Sequence, residues 1–156
     1  ICEEFIHKIS KLWPRWIEDE DRLCMQFLAD IIKSMNIKGY ITIDDLYKLS
    51  EKEVIQLIEN CKDDYIRKAF KNFEKATRDT VYKSDIPNND IYCTCVKGKQ
   101  RYINPLVQLQ DKACRITEVS DIANNDINEF LNMKMHAYIG FYFDFKPYDI
   151  NINKLC

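Results

Sequence analysis

Glycine is scarce in this chain, three in 156 residues, and proline is hardly commoner at four. With only Gly39, Gly98 and Gly140 there is no Gly-x-Gly-x-x-Gly fingerprint, no Walker loop and no Gly-x-Ser-x-Gly elbow, so nucleotide-fold enzymes and hydrolases of those classes are excluded. Histidine is scarcer still. His7 and His136 are the only two, neither is followed by Asp, and no carboxylate or cysteine pattern repeats around them. Metal-assisted hydrolysis needs several inward ligands held together, so both histidines are read as ordinary partly exposed residues and no metal or catalytic residue is assigned. The longest apolar stretches, around 27–32 and 138–143, fall far short of the roughly 20 residues a spanning helix needs. No basic, apolar, small-residue leader pattern precedes Cys2. Neither charge sign dominates: 23 Lys and Arg against 25 Asp and Glu give a net charge of −2, so any anion site must be local. Internal repeats, low-complexity tracts and heptads are also missing, which removes solenoids and coiled coils.

What is there is a globular composition. Hydrophobic residues make up 46% and charged residues 31%, enough for a real core in one domain or two small packed units. The seven cysteines, Cys2, Cys24, Cys61, Cys93, Cys95, Cys114 and Cys156, are odd in number and scattered, which argues against a disulfide framework. Cys24 and Cys61 fall on apolar helix stripes, where a free thiol behaves as a small hydrophobe. A reducing, cytoplasmic setting is the expectation. The chain starts at Ile1 without a methionine, which suggests a piece of a longer protein.

Periodicity organises the chain into two halves. Residues 2–12 carry Phe5, Ile6, Ile9 and Leu12 on one helical face, and Trp13-Pro14-Arg15-Trp16 ends that helix in a packed corner. A second helix over about 19–35 has the clearest stripe, Leu23, Cys24, Phe27, Leu28, Ile31, Ile32 and Met35, and Gly39 stops it. Thr42 and Ser50 are expected N-caps, Ser50 with Glu53 forming a capping box, and Asp63 or Asp64 caps a further helix bearing Tyr65, Ile66, Ala69, Phe70 and Phe73. Residues 1–78 thus read as a small helical bundle. Turn-forming residues between 77 and 89 mark the boundary to a second subdomain, 79–156. There, 91–96 and 101–107 predict strands joined by a hairpin at Lys97-Gly98-Lys99-Gln100, with Pro105 demoting the end of the second strand. A helix over 120–133 and an alternating strand over 136–145 follow. The expected fold class is α+β: a helical bundle, then a β-β-α-β antiparallel sheet with one packed helix.

Candidate chemistry is thin. Cys93-x-Cys95 could supply two zinc ligands with Cys114 and His136, but the spacing matches no zinc pattern and two small strand residues explain it equally well. A thiol nucleophile at Cys2 has no spacing that brings a base to it. The run Glu18-Asp19-Glu20-Asp21 reads as a solvated helix start, since consecutive helical side chains fan apart. One surface remains: Lys97, Lys99 and Arg101 crowd the expected hairpin, with Tyr92 and Tyr102 close by and Lys112 and Arg115 in the next connection. Such a basic and aromatic surface can take a phosphate or a stacked base, so Lys97, Lys99, Arg101 and Tyr102 are the candidate ligand-binding residues. The plainer reading is a charged turn that protects a strand edge.

The stretch Gly39-Tyr40-Ile41-Thr42-Ile43-Asp44-Asp45-Leu46-Tyr47-Lys48-Leu49-Ser50-Glu51-Lys52-Glu53-Val54-Ile55, the helix after it to Phe73, and Val81-Tyr82-Lys83-Ser84 carry a resemblance. So do the segment from Tyr92 to Val107, Phe130-Leu131-Asn132 and Tyr142-Phe143-Asp144-Phe145. Together they resemble the region after the catalytic core in bacterial HD-superfamily phosphohydrolases. In that family a helix with an acidic and leucine pattern precedes another helix and then a strand bearing a Tyr-Lys pair. The family's metal ligands, a His, a His-Asp pair and a later Asp, have no counterpart here, so no catalytic residue carries over. The resemblance implies an accessory region that shapes a substrate pocket, binds a regulator or builds an oligomer. It also implies an upstream HD domain as partner, with a divalent metal there, and nucleotide phosphate esters as substrates. A free-standing nucleotide- or nucleic-acid-binding module using 97–101, and a protein-interaction scaffold, are the alternatives.

Overall fold

The computed structural model describes residues 1–143. The fold is α+β, with six α-helices and five short strands in two antiparallel sheets among the described residues. The chain divides into two compact units. One comprises Ile1–Asp21 and Gly98–Met135, the other Arg22–Lys97 with the described part of His136–Cys156. Their division differs from a cut at 78/79, because the strand at 81–84 pairs in the same unit as the helices before it.

In the first unit, helix α1 (Cys2–Ser10) is followed by a 3-10 turn over Trp13–Trp16 with Pro14 in its first turn, where its missing N–H costs nothing. Ile6, Trp13, Ile17, Ile116, Ala123, Ile127 and Phe130 form the core, with the Trp13 and Phe130 rings 5.3 Å apart. Ser120 caps the helix Asp121–Leu131 by accepting from the Ala123 N–H at 3.1 Å, and its hydroxyl donates to Glu3. His7 Nδ1 pairs with Asp126 Oδ2 at 3.0 Å. A hairpin of Leu106–Leu109 with Lys112–Arg115 turns through Gln110 and Asp111. Gln110, at φ +50°, occupies a left-handed turn position that ordinarily favours glycine, and the Gln108 side chain donates to its carbonyl at 2.7 Å.

The second unit is built on the long helix Asp19–Ile37, whose first residues belong to the division point. It ends in a glycine-based cap: Gly39 at φ +74° lets its N–H reach the Asn36 carbonyl and the Tyr40 N–H reach that of Met35. Three short helices follow, Ile43–Lys48, Glu51–Glu59 and Asp64–Glu74. Thr42 with Asp45 and Ser50 with Glu53 form capping boxes, and Asp63 caps the third helix while accepting from Lys38 at 2.8 Å. The sheet runs β1-β5-β2, with Val81–Ser84 and Tyr92–Thr94 on either side of Tyr138–Phe141. Phe27 sits at the centre of this core, its ring 4.7 Å from Tyr92 and 5.4 Å from both Phe73 and Phe141. Gly140 is required in the middle strand, because an added Cβ would sit on the Tyr92 carbonyl oxygen and 3.1 Å from the Cys93 Cα.

The expected hairpin through 97–100 does not form. Tyr92, Cys93 and Thr94 pair with Phe141, Gly140 and Ile139, and 95–105 is irregular until Leu106 pairs with Arg115. Pairing with the middle strand satisfies the backbone of β2 along one edge, and Pro105 lacks the N–H a continued ladder would use. The last expected strand is Tyr138–Phe141, and positions 144–145 of that expectation, with Cys156, lie outside the described residues.

Candidate functional site

The helix Asp19–Ile37 carries two neighbouring ridges. Leu23, Phe27, Ile31 and Met35 are apolar and fully buried, while Arg22, Gln26, Asp30 and Ser34 form a polar ridge one position before them. Each repeats at four-residue spacing, so each forms a line along the helix, and the two lines lie about 100° apart around it. On the polar ridge Asp30 accepts from the Tyr92 hydroxyl at 2.7 Å and from the Gln26 amide at 2.9 Å. Burial pushes the Tyr92 phenol well above its ordinary value, and the Asp30 carboxylate beside it pushes the same way. Tyr92 is thereby fixed as a proton donor. Arg22 is buried too and donates to the carbonyls of Val96 and His136. Four-residue spacing of polar residues next to the stripe was the signal that could have found these groups in the sequence.

A cavity of about 190 Å³ opens beside the sheet of the same unit, lined by Pro87, Asn88, Asn89, Cys93, Cys95 and Tyr138. Its loop wall is fixed locally. The Tyr82 hydroxyl donates to the Ile86 carbonyl at 2.6 Å, the Ile86 N–H donates to Ser84 Oγ at 3.1 Å, and Asn88 Oδ1 accepts from the Asp90 N–H at 2.9 Å. Cys93 lies on β2 and Tyr138 starts β5, so the sheet register sets the opposite wall. A dry cavity of about 150 Å³ holds a benzene ring, so a space of this size takes a single ring or a short side chain. The donors around it are amides, a phenol and a thiol.

Lys97, Lys99, Arg101 and Tyr102 are all exposed, but on irregular backbone, and the unit division falls between Lys97 and Gly98. Tyr102 packs edge-on to Trp13 at 6.3 Å. Gln100 between them donates to the Phe130 and Leu131 carbonyls at 2.7 and 3.1 Å, closing the end of helix Asp121–Leu131. Tyr92, grouped with this surface in the sequence, is in the core instead, and Arg115 donates to the Asn104 carbonyl at 2.8 Å. The acidic run is less open than a solvated helix start, since Asp19 is buried. Among the described residues Cys2, Cys24, Cys61, Cys93 and Cys114 are free thiols, Cys95 is not, and no three His, Cys, Asp or Glu side chains stand together as metal ligands. No described helix is long and apolar enough to cross a membrane. No protein-family model, curated protein or solved structure matches the chain.

Proposed function

We propose that the chain is the non-catalytic C-terminal accessory region of an HD-type metal-dependent phosphohydrolase acting on nucleotides or related phosphate esters. The order of elements carries this reading. Helices Ile43–Lys48, Glu51–Glu59 and Asp64–Glu74 lead into the strand Val81–Ser84 with its Tyr82-Lys83 pair, one helix more than the succession the HD resemblance implies and otherwise in its order. The small cavity between the 87–89 loop and the sheet supports a substrate-shaping part in that role, since its amide, phenol and thiol groups can orient a ring without reacting with it. The partner is the upstream HD domain of the same cytoplasmic protein, which holds the divalent metal. The coding sequence decides it: the reading frame extends upstream of Ile1 and encodes a His, a His-Asp pair and a later Asp. A stop codon immediately before Ile1 overturns the proposal, as does robust metal-stimulated nucleotide hydrolysis by the isolated chain.

A second reading, self-association, is favoured by one observation. Helix Ile43–Lys48 buries none of its residues, and Ile43 and Tyr47 stand 62% and 87% exposed. Light scattering at high concentration tests it: dimers that revert to monomers on Ile43→Ser with Tyr47→Ser support it, and monomers of the unchanged chain end it.

A further inference from the structure

The pairing of β2 with β5 ends at Thr94 and Ile139, and beyond that point the two strands separate. Past Thr94 the chain runs on irregularly to Lys97, where it leaves this unit, and it returns at His136, two residues before β5 begins. The intervening residues Gly98–Met135 are therefore an excursion with two stems. Arg22, in the first turns of its helix, donates to the Val96 carbonyl on one stem and to the His136 carbonyl, at 3.4 Å, on the other. A planar guanidinium presents donors in a rigid fork, so one side chain replaces the ladder bonds lost where the strands diverge.

The placement is unfavourable for the helix itself. A cation near a helix N-terminus opposes the helix dipole, and burying an arginine is costly unless its donors are satisfied. Gln26, Asp30 and Ser34, which continue the same ridge, carry no positive charge. Arg22 holds one carbonyl on each stem. The geometry points to Arg22 as a latch: its guanidinium closes the fork between β2 and β5, and its release frees both stems of the 98–135 excursion together. Val96 on one stem packs at the edge of the Phe27 core, so opening is a local event that lifts Val96 while Phe27, Ile31 and Met35 stay packed.

Limited trypsin digestion of the full chain tests this, because Lys97, Lys99 and Lys134 are cleavage positions on or beside the two stems. In Arg22→Met, which keeps the length and loses the donors, cleavage at both stems accelerates together by about tenfold, the loss expected for charge-assisted hydrogen bonds. Amide exchange rises around 95–97 and 136–138 and stays unchanged around Phe27 and Ile31. Arg22→Lys, which can satisfy one carbonyl, gives a smaller acceleration and decides the matter should Arg22→Met not fold. Unchanged cleavage in the lysine variant overturns the latch. So does cleavage that spreads equally to Lys33, Lys52 and Lys71, which would make Arg22 a general support of the core.

Discussion

Removing the Tyr92 hydroxyl leaves the buried Asp30 carboxylate held by the Gln26 amide. A buried acceptor stripped of one partner costs about 1–3 kcal/mol, so Tyr92→Phe lowers the unfolding free energy obtained from a urea titration by that much and moves the midpoint down. Changing both partners to apolar residues removes the orphaned group, so Tyr92→Phe with Asp30→Leu is less unstable than the sum of the single changes. Strict additivity would mean the two side chains do not act as a pair. Asp63 supplies the acid dependence. The Lys38 ammonium bonded to it, helped by the Tyr65 and Ile66 N–H groups and opposed by partial burial, holds its carboxyl below the ordinary value of 3.8. A depressed folded-state pKa means the stabilisation is full above that ordinary value and is lost as pH falls through the lowered one. Asp63→Asn keeps a good N-cap and loses the charge, so its deficit in urea stability is present at neutral pH and vanishes at the acid end of the titration. A deficit that stays constant down to acid pH would remove the ion pair as its cause.

At the scale of elements the two conformationally informative glycines separate two kinds of constraint. Gly140→Ala drives a methyl into the backbone of β2 and destabilises by about 1–3 kcal/mol or more, because a carbonyl in a paired strand cannot move aside. Gly39→Ala meets no atom within 4 Å and suffers only the left-handed backbone at φ +74°, a penalty of about 1–2 kcal/mol. Thermal melts of the two variants, with near-UV spectra to report strand packing, distinguish them: only Gly140→Ala perturbs the aromatic signal. The helices were legible in the sequence because their signals are local. Thr42, Ser50, Asp63 and Ser120 cap the helices their residue types announce, and the 23, 27, 31, 35 spacing faces the core. Strand pairing was not legible. The run at Lys97-Gly98-Lys99-Gln100 has the glycine that a turn favours but makes none, whereas the real turn uses Gln110, which has no such mark. The cavity was hidden for the same reason, since Pro87 and Tyr138 meet only through the β2–β5 register. Exposure of Lys97, Lys99, Arg101 and Tyr102 was readable from composition, but their shared hairpin was not there to gather them.

Across the whole molecule the two cores share no residue: one gathers Ile6, Trp13, Ile17, Ile116, Ala123, Ile127 and Phe130, the other centres on Phe27, Ile31, Tyr92 and Phe141. Both tryptophans, Trp13 and Trp16, lie in the first unit, so tryptophan fluorescence reports that unit alone. Far-UV circular dichroism is dominated by the second, which holds most of the helix Asp19–Ile37 and three further helices. Truncating a buried phenylalanine costs about 3–5 kcal/mol, a large fraction of the stability of a small unit. Phe27→Ala therefore shifts the dichroism transition to much lower urea while the fluorescence transition moves little, and the two probes, whatever their offset in the parent chain, separate further. Trp13 is itself a probe, so the reciprocal change is Phe130→Ala, which moves fluorescence and spares most of the dichroism. Non-coincident transitions are the thermodynamic mark of two cooperative units. If both probes instead shift by the same amount in both variants, the chain unfolds as one body, and the separate cores are a feature of packing without a counterpart in cooperativity.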